Sequence, residues 1–202
     1  MFFYIREFWE KLVLNNLRDR LKPSLEKIGR SFASTGFSPN FWTSVGLVFA
    51  LLSAVVYGLG MEFGLIAGGI LLLVSGFFDM VDGQVARVTG KSSQKGSYLD
   101  SMFDKIAEVA IFLGILIGGY AEPYLVFLAI TLSLLVSYAR AKSDALNVKL
   151  QGVGIGERAE RLLVIAIVGI AGFMEPAVII VVVIAGITLI QRMIITAKNI
   201  KD

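Results

Sequence analysis

Six stretches of mostly apolar residues, 41–60, 63–83, 99–120, 123–141, 159–175 and 177–196, occupy most of this 202-residue chain. About twenty such residues carry an α-helix across the hydrocarbon core of a bilayer. Inside that core a helix is the one single segment that satisfies its own backbone polar groups. The chain therefore reads as an all-α integral membrane protein with six transmembrane helices. Composition agrees, with 56% hydrophobic and 17% charged residues, against about 45–50% and about 25% in soluble domains. Ahead of the spans, residues 2–17 (FFYIREFWEKLVLNNL) mix aromatics and leucines with charges at near-helical spacing. That predicts an N-terminal amphipathic helix lying in the interface. The stretch does not read as a secretory signal, since the charged, apolar and small-residue regions of one are not in order. The expected organisation is an N-terminal cytoplasmic or interfacial segment, 1–40, followed by a six-helix membrane domain, 41–202.

The basic residues orient this layout. Seven of the nineteen Lys and Arg fall in 1–40, four in 84–105, five in 140–161 and three in 192–202. The opposite hairpins near 61–62, 120–123 and 174–176 hold none, and each carries one glutamate: Glu62, Glu122 and Glu175. By the positive-inside rule both termini and the loops after spans two and four face the cytoplasm, which places the chain in the cell membrane as a multi-pass protein. Pro39, Pro123 and Pro176 punctuate the starts of spans or hairpins, and Pro23 stands in the polar N-terminal region. Glycines at four-residue spacing, Gly60/Gly64/Gly68 and Gly114/Gly118, fit either close packing within one bundle or a dimer face.

The chain has no histidine and no cysteine. That excludes Ser-His-Asp and Cys-His catalysis, zinc fingers and disulfide frameworks. Any chemistry falls to carboxylates, Lys, Arg, Tyr, hydroxyls and hard metals bound through oxygen.

Carboxylates stand where a bilayer disfavours them. Asp79 and Asp82 lie at i, i+3 on the cytoplasmic end of span two, and Asp100 and Asp104 at i, i+4 on the opening turns of span three. Each pair shares a helix face, and the short connection makes the two spans antiparallel neighbours whose faces can meet. Four converging carboxylates repel, so either they take up protons or a cation neutralises them. Oxygen-only ligands point to Mg²⁺ or Mn²⁺, with Ca²⁺ as an alternative. The plainer reading, helix-cap and salt-bridge aspartates at a wet interface, accounts poorly for four acids in two helical pairs. Gly83 and Ala86 leave room for a bulky planar group. Arg87, Lys91 and Lys95 can sit against phosphates, although positive-inside bias alone explains the two lysines.

The pattern Asp79-x2-Asp82-Gly83-x2-Ala86-Arg87-x8-Gly96-x3-Asp100-x3-Asp104 resembles the signature of the CDP-alcohol phosphotransferase family. Members of that family transfer a phosphoalcohol from a CDP-linked donor to an acceptor hydroxyl and release CMP. The resemblance implies that Asp79, Asp82 and Asp100 ligate metal, Asp79 and Asp100 bridging two Mg²⁺ or Mn²⁺ ions. It implies that Asp104 completes the second site and serves as general base. Gly83, Ala86 and Arg87, with Asp82, would take the cytidine diphosphate. Asn40 and Thr43, in Pro39-Asn40-x2-Thr43, also look like the family's nucleotide-binding pattern, with helix capping as the alternative. Ser93 is a further candidate for a phosphate contact.

The acceptor site is read from the other loop. Arg140, Lys142 and Arg158, with Arg161 beside them and Arg192 at the end of span six, form a cationic set that would suit an acceptor bearing a phosphate. Headgroup snorkelling is the alternative for about half of such residues. Tyr138-Ala139-Arg140-Ala141-Lys142 and Gly156-Glu157-Arg158-Ala159 resemble the inositol 1-phosphate-using subgroup, the phosphatidylinositol-phosphate synthases and their archaeal counterparts, the archaetidylinositol phosphate synthases. Arg140, Lys142, Arg158 and Arg192 would then grip the inositol phosphate. The expected partners are a CDP-linked lipid donor, inositol 1-phosphate, membrane lipids and a second copy in a homodimer, with no nucleic acid. The same chemistry with glycerol 3-phosphate or serine as acceptor, or with CDP-inositol as donor, stays open. So does a divalent-cation transporter, although the acids cluster at one surface and no polar path continues through the spans.

Overall fold

The computed structural model describes residues 15–200 except 92, 151 and 152, with 15–22 followed as backbone only. Most of the interfacial helix expected over 2–17 lies outside the described residues. Seven helices and no strand are present among the described residues: α1 (Asn15–Ala33), α2 (Pro39–Gly58), α3 (Gly64–Thr89), α4 (Gln94–Ile117), α5 (Pro123–Ala145), α6 (Arg158–Ile170) and α7 (Met174–Asn199). Four of them, α2, α3, α5 and α7, are long and apolar enough to cross a bilayer. The other two expected spans differ for physical reasons. α4 has the length but carries Lys95, Asp100, Asp104, Lys105 and Glu108. α6 has 13 residues, which cover only about 20 Å at 1.5 Å per residue.

Proline and glycine set the boundaries. Pro39 and Pro123 open α2 and α5 at the first turn, where the missing N–H costs nothing. Gly90, at φ 64°, caps α3 in the left-handed region, which carries that helix six residues past the span edge expected at 83. The fifth span was expected to run to 175, but α6 stops at Ile170 and the chain turns at Gly172, φ 88°. Pro176 consequently sits in the first turn of α7 rather than in the hairpin.

The three short connections meet at one end of the bundle. The Tyr120 hydroxyl donates to the Met61 carbonyl at 3.1 Å, and the Glu122 amide donates to Glu175 Oε2 at 3.1 Å. The aspartates and Arg158 gather at the other end. In the core, small residues let helices touch backbone to backbone. A Cβ on Gly114 would strike the Ala54 backbone, one on Gly118 the Tyr57 carbonyl, and one on Gly68 the Tyr57 ring. The regularly spaced glycines are thus filled within one chain. Tyr57, Ile111, Phe112, Ile115 and Ile165 are fully buried around them.

One arrangement differs from the expectation of adjacent spans. α3 and α4 follow each other after a short turn, yet each packs chiefly on α2, which wedges between them. Gly46 of α2 lies against the Ser75–Asp79 stretch of α3, and the Ser75 hydroxyl donates to the Gly46 carbonyl at 2.8 Å. The two signature helices diverge around this wedge, and the N-terminus of α2 faces the gap.

Candidate active site and metal centre

Asp79 and Asp82 project from the end of α3, and Asp100 and Asp104 from the first turns of α4. One carboxylate oxygen from each of Asp79, Asp82 and Asp100 lies within 4.8 Å of the other two. Asp82 is only 8% exposed, and its Oδ2 is buried without a hydrogen-bond partner. A buried, unsatisfied anionic oxygen costs free energy in the bare protein. Beside two further carboxylates it makes the trio fit a hard divalent cation, which takes oxygen donors alone.

Asp104 stands apart from the trio. Its Oδ1 lies 2.6 Å from Arg158 Nη1, and the same nitrogen donates to Asp79 Oδ1 at 3.2 Å. Arg158 opens α6 and so reaches across to α3 and α4 at once. The aspartates thus have two kinds of partner: three form a potential ion site, and a guanidinium joins one of these to the fourth.

A groove of about 180 Å³ opens beside the trio. Asn40, Thr43, Asp82, Gly83, Ala86 and Ser93 line it, as do Pro39, Lys91, Gly96, Ser97 and Asp100. A Cβ on Gly83 would meet nothing within 4 Å, so the glycine leaves open space. The capping alternative for the Pro39–Thr43 segment is settled in part. Ser38, not Asn40, caps α2, accepting from the Phe41 amide at 3.3 Å. Asn40 instead turns toward Gly96, where a Cβ would come 2.9 Å from its Oδ1. Thr43 donates back to the Pro39 carbonyl at 3.2 Å. Ser93 both lines the groove and caps α4, accepting from the Gly96 amide at 3.0 Å. Arg87 is exposed and does not line the groove.

A second, much tighter cavity, with room for about one water molecule, lies between Thr43, Ser75, Asp79, Asp104 and Arg158. Thr43 and the aspartates separate it from the groove. Of the cations expected around it, only Arg158 lines its wall. Arg140 is half-exposed, 4.0 Å from Glu157 Oε1. Lys142 is exposed near the end of α5. Arg192 is 2% exposed and already donates to the carbonyls of Val153 (3.1 Å) and Val136 (2.9 Å) and to Glu157 (3.3 Å).

Sequence reasoning passed over several participants. Ser97 is a wall of the groove, beside Gly96 of the signature and Lys91, and Glu157 is the acid that gathers Arg140 and Arg192. Glu108 and Arg161, each 1% exposed, form a buried ion pair beneath Asp104 and Arg158. A signal for this pair existed: Glu108 follows Asp104 by four residues and Arg161 follows Arg158 by three, spacings that share a helix face.

Fold and site together describe a helical membrane protein in which three carboxylates, spaced to fit a divalent cation, stand at the edge of an open groove. The sequence pattern of the CDP-alcohol phosphatidyltransferases matches residues 37–198. The chain is 34% identical over 189 residues to an archaetidylinositol phosphate synthase of Pyrococcus horikoshii, covering 94% of this chain and 99% of that one. It is 32% identical over 187 residues to a phosphatidylinositol phosphate synthase of Streptomyces avermitilis, covering 81% and 74%. In three dimensions it resembles the phosphatidylinositol phosphate synthase of Mycobacterium tuberculosis crystallised with CDP-DAG, with a TM-score of 0.74 at 24% identity over 85% of this chain and 92% of that one. The same protein crystallised with manganese and citrate superposes with a TM-score of 0.75 at 24% identity, over 86% and 88%. The protein belongs to the CDP-alcohol phosphatidyltransferase family.

Proposed function

We propose that this enzyme transfers a phosphatidyl-type group from a CDP-linked lipid, an archaetidyl group by preference, to a hydroxyl of inositol 1-phosphate, releasing CMP. The observation that carries the acceptor assignment is the place of Arg158. Its guanidinium lines the second cavity and touches Asp79 and Asp104, so a cation waits where an anionic acceptor would meet the carboxylates. An anionic acceptor can take the place of Asp104 on Arg158 and so free that carboxylate, an exchange that a neutral acceptor such as serine offers no charge to drive. The relatives named archaetidylinositol phosphate synthase, which match over nearly the whole chain, support the same choice.

In this reading the groove lined by Asn40, Thr43, Gly83, Ala86 and Ser93 holds the cytidine diphosphate, with Arg87 reaching its phosphates from the rim. Arg158 holds the acceptor phosphate, Arg140 and Lys142 add positive charge from the exposed side, and Arg192, its donors spent on Val136, Val153 and Glu157, supports that side from within. Asp79, Asp82 and Asp100 hold Mg²⁺ or Mn²⁺, and with Asp104 the four carboxylates balance two ions. Bound there, such ions neutralise diphosphate charge and clamp the attacking and leaving oxygens. Asp104 receives the proton of the acceptor hydroxyl as its oxygen bonds to the lipid-bearing phosphorus and the bond from that phosphorus to CMP breaks. Thr43, on the wall between the two cavities, touches both substrates.

The basic-residue distribution supports six crossings of the cytoplasmic membrane with the site facing the cytoplasm, α4 and α6 completing the six. A homodimer would use a face other than the spaced glycines, since these are filled within one chain. The direct test is mass spectrometry of the product formed by purified protein with Mg²⁺, inositol 1-phosphate and either CDP-archaeol or CDP-diacylglycerol. An inositol phosphate lipid is expected, with the archaeol donor preferred. Product formed only with glycerol 3-phosphate or serine would overturn the acceptor assignment.

A further inference from the structure

Two ion pairs link α4 to α6, one above the other. The upper pair, Asp104 with Arg158, faces the second cavity, with side-chain exposures of 22% and 16%. The lower pair, Glu108 with Arg161, is 1% exposed on both sides. It is bidentate: Arg161 Nε donates to Glu108 Oε1 at 2.9 Å and Nη2 to Oε2 at 3.0 Å. The third guanidinium nitrogen, Nη1, donates to the Gly156 carbonyl at 2.5 Å. Gly156 lies two residues before Arg158, and its own amide donates to Thr188 Oγ1 on α7 at 3.0 Å. A Cβ at Gly156 would come 2.9 Å from the Ile184 carbonyl, so the loop rests directly on α7.

We propose that Glu108 and Arg161 are positioning residues that set the register of Arg158 against Asp104. The proposal rests on the reading that Arg158 receives the acceptor phosphate. Every donor of Arg161 that the structure pairs is spent on either α4 or the backbone leading into α6. A planar guanidinium fork bound to a carboxylate fixes both angle and distance. Because Glu108 is one turn from Asp104 and Arg161 one turn from Arg158, fixing the lower pair fixes the upper one. The upper pair has to open when a substrate phosphate and a metal ion compete for its members. The lower pair, sealed from water and from either cavity, does not. One pair exchanges partners and the other holds the distance over which the exchange occurs.

The test uses the full-length protein in detergent or nanodiscs. Removing one member would leave a buried unpaired charge, so the main variant is the paired replacement Glu108→Leu with Arg161→Met, which leaves none and is of the kind that keeps buried sites folded. Arg161→Lys is the conservative partner, keeping the charge but losing the fork. Since the chain has no cysteine, spin labels at Ile106→Cys and Leu163→Cys, both exposed, report the α4–α6 distance without background. The paired variant is expected to shift or broaden that distance. It is also expected to raise the KM for inositol 1-phosphate about tenfold or more, the scale of a small misplacement of a binding group, with the KM for the CDP-lipid within about twofold. Arg161→Lys should fall between the paired variant and the native enzyme. An unchanged distance would overturn the proposal, and so would equal changes in both KM values. If the native enzyme released no CMP with inositol 1-phosphate, the acceptor assignment would fail, while the spin-label distances would still decide whether the lower pair sets the register.

Discussion

The groove side of the site and the α6 side are built on opposite principles. On the groove side, small residues, an open glycine and an unpartnered Asp82 oxygen leave the protein incomplete until a ligand arrives. On the α6 side the enclosed arginines each hold ionic or carbonyl partners, Arg158 with Asp79 and Asp104, Arg161 with Glu108, Arg192 with carbonyls and Glu157, and only Arg158 Nε among their described donors is buried without one. The first arrangement suits a donor whose diphosphate comes with divalent cations. The second suits an acceptor that must displace an existing ion pair, so that acceptor binding and release of the Asp104 carboxylate are one event. The contrast teaches that the two halves should fail differently.

Breaking the groove side should have the largest effect. Asp82→Asn removes charge from the ion site and is expected to lower CMP release on the order of 10³-fold, the scale of losing preorganised electrostatic stabilisation. Mn²⁺ affinity read by electron paramagnetic resonance should fall with it. Asp104→Asn should cut CMP release by about 10²–10⁴-fold, as loss of a general base does, with Mn²⁺ affinity largely retained. Loss of both together would merge Asp104 with the trio and erase the distinction. Arg158→Ala should raise the KM for inositol 1-phosphate about a hundredfold, as truncating one member of a desolvated charge pair does. It should leave the donor KM within a few-fold, and an equal loss with serine would remove the cationic-site argument.

Smaller effects sharpen the steric side. Gly83→Leu should fill the groove and raise the donor KM about tenfold, whereas Gly83→Ala enters open space and should cost about twofold or less, a graded response that only a bound group over this position would give. Gly172→Ala, in a hairpin at the end of the bundle opposite both cavities, should lower thermal stability by about 1–2 kcal/mol through its left-handed backbone at φ 88° and leave both KM values unchanged.

The same contrast explains what was legible in the sequence. Apart from Pro39, Asn40 and Thr43 of α2, the groove side comes from one continuous segment, 79–104, on which i, i+3 and i, i+4 spacing fixes which side chains share a face, so the aspartates, Gly83 and Ala86 are readable directly. The α6 side unites residues 53 and 79 positions apart, Arg161 with Glu108 and Arg158 with Asp79, and local spacing shows only that Glu108 shares a face with Asp104 and Arg161 with Arg158, not that the two faces meet. Arg192 shows the cost. It was read as an acceptor cation from charge alone, but the structure ties it to two carbonyls on α5 and its adjoining loop, a contact invisible without the tertiary fold. Hydropathy located the helices well and their limits less well. The apolar run at 63–83 ends where α3 turns polar, but the helix continues to Thr89 because hydrogen bonding, unlike hydropathy, does not stop at the membrane surface. The wedging of α2 between α3 and α4 depends on which glycines meet which backbones, and glycine spacing fits several partners equally.

The central claim is that three carboxylates on two signature helices form a divalent-cation site on which CMP release depends. It is tested most directly by following CMP release from a CDP-linked lipid and inositol 1-phosphate after exhaustive chelation, then during titration with Mg²⁺ or Mn²⁺. No release in chelator and saturable recovery in the native enzyme, with recovery absent in Asp82→Asn, is the predicted result. Undiminished release in chelator, or the same recovery curve in Asp82→Asn, would contradict it.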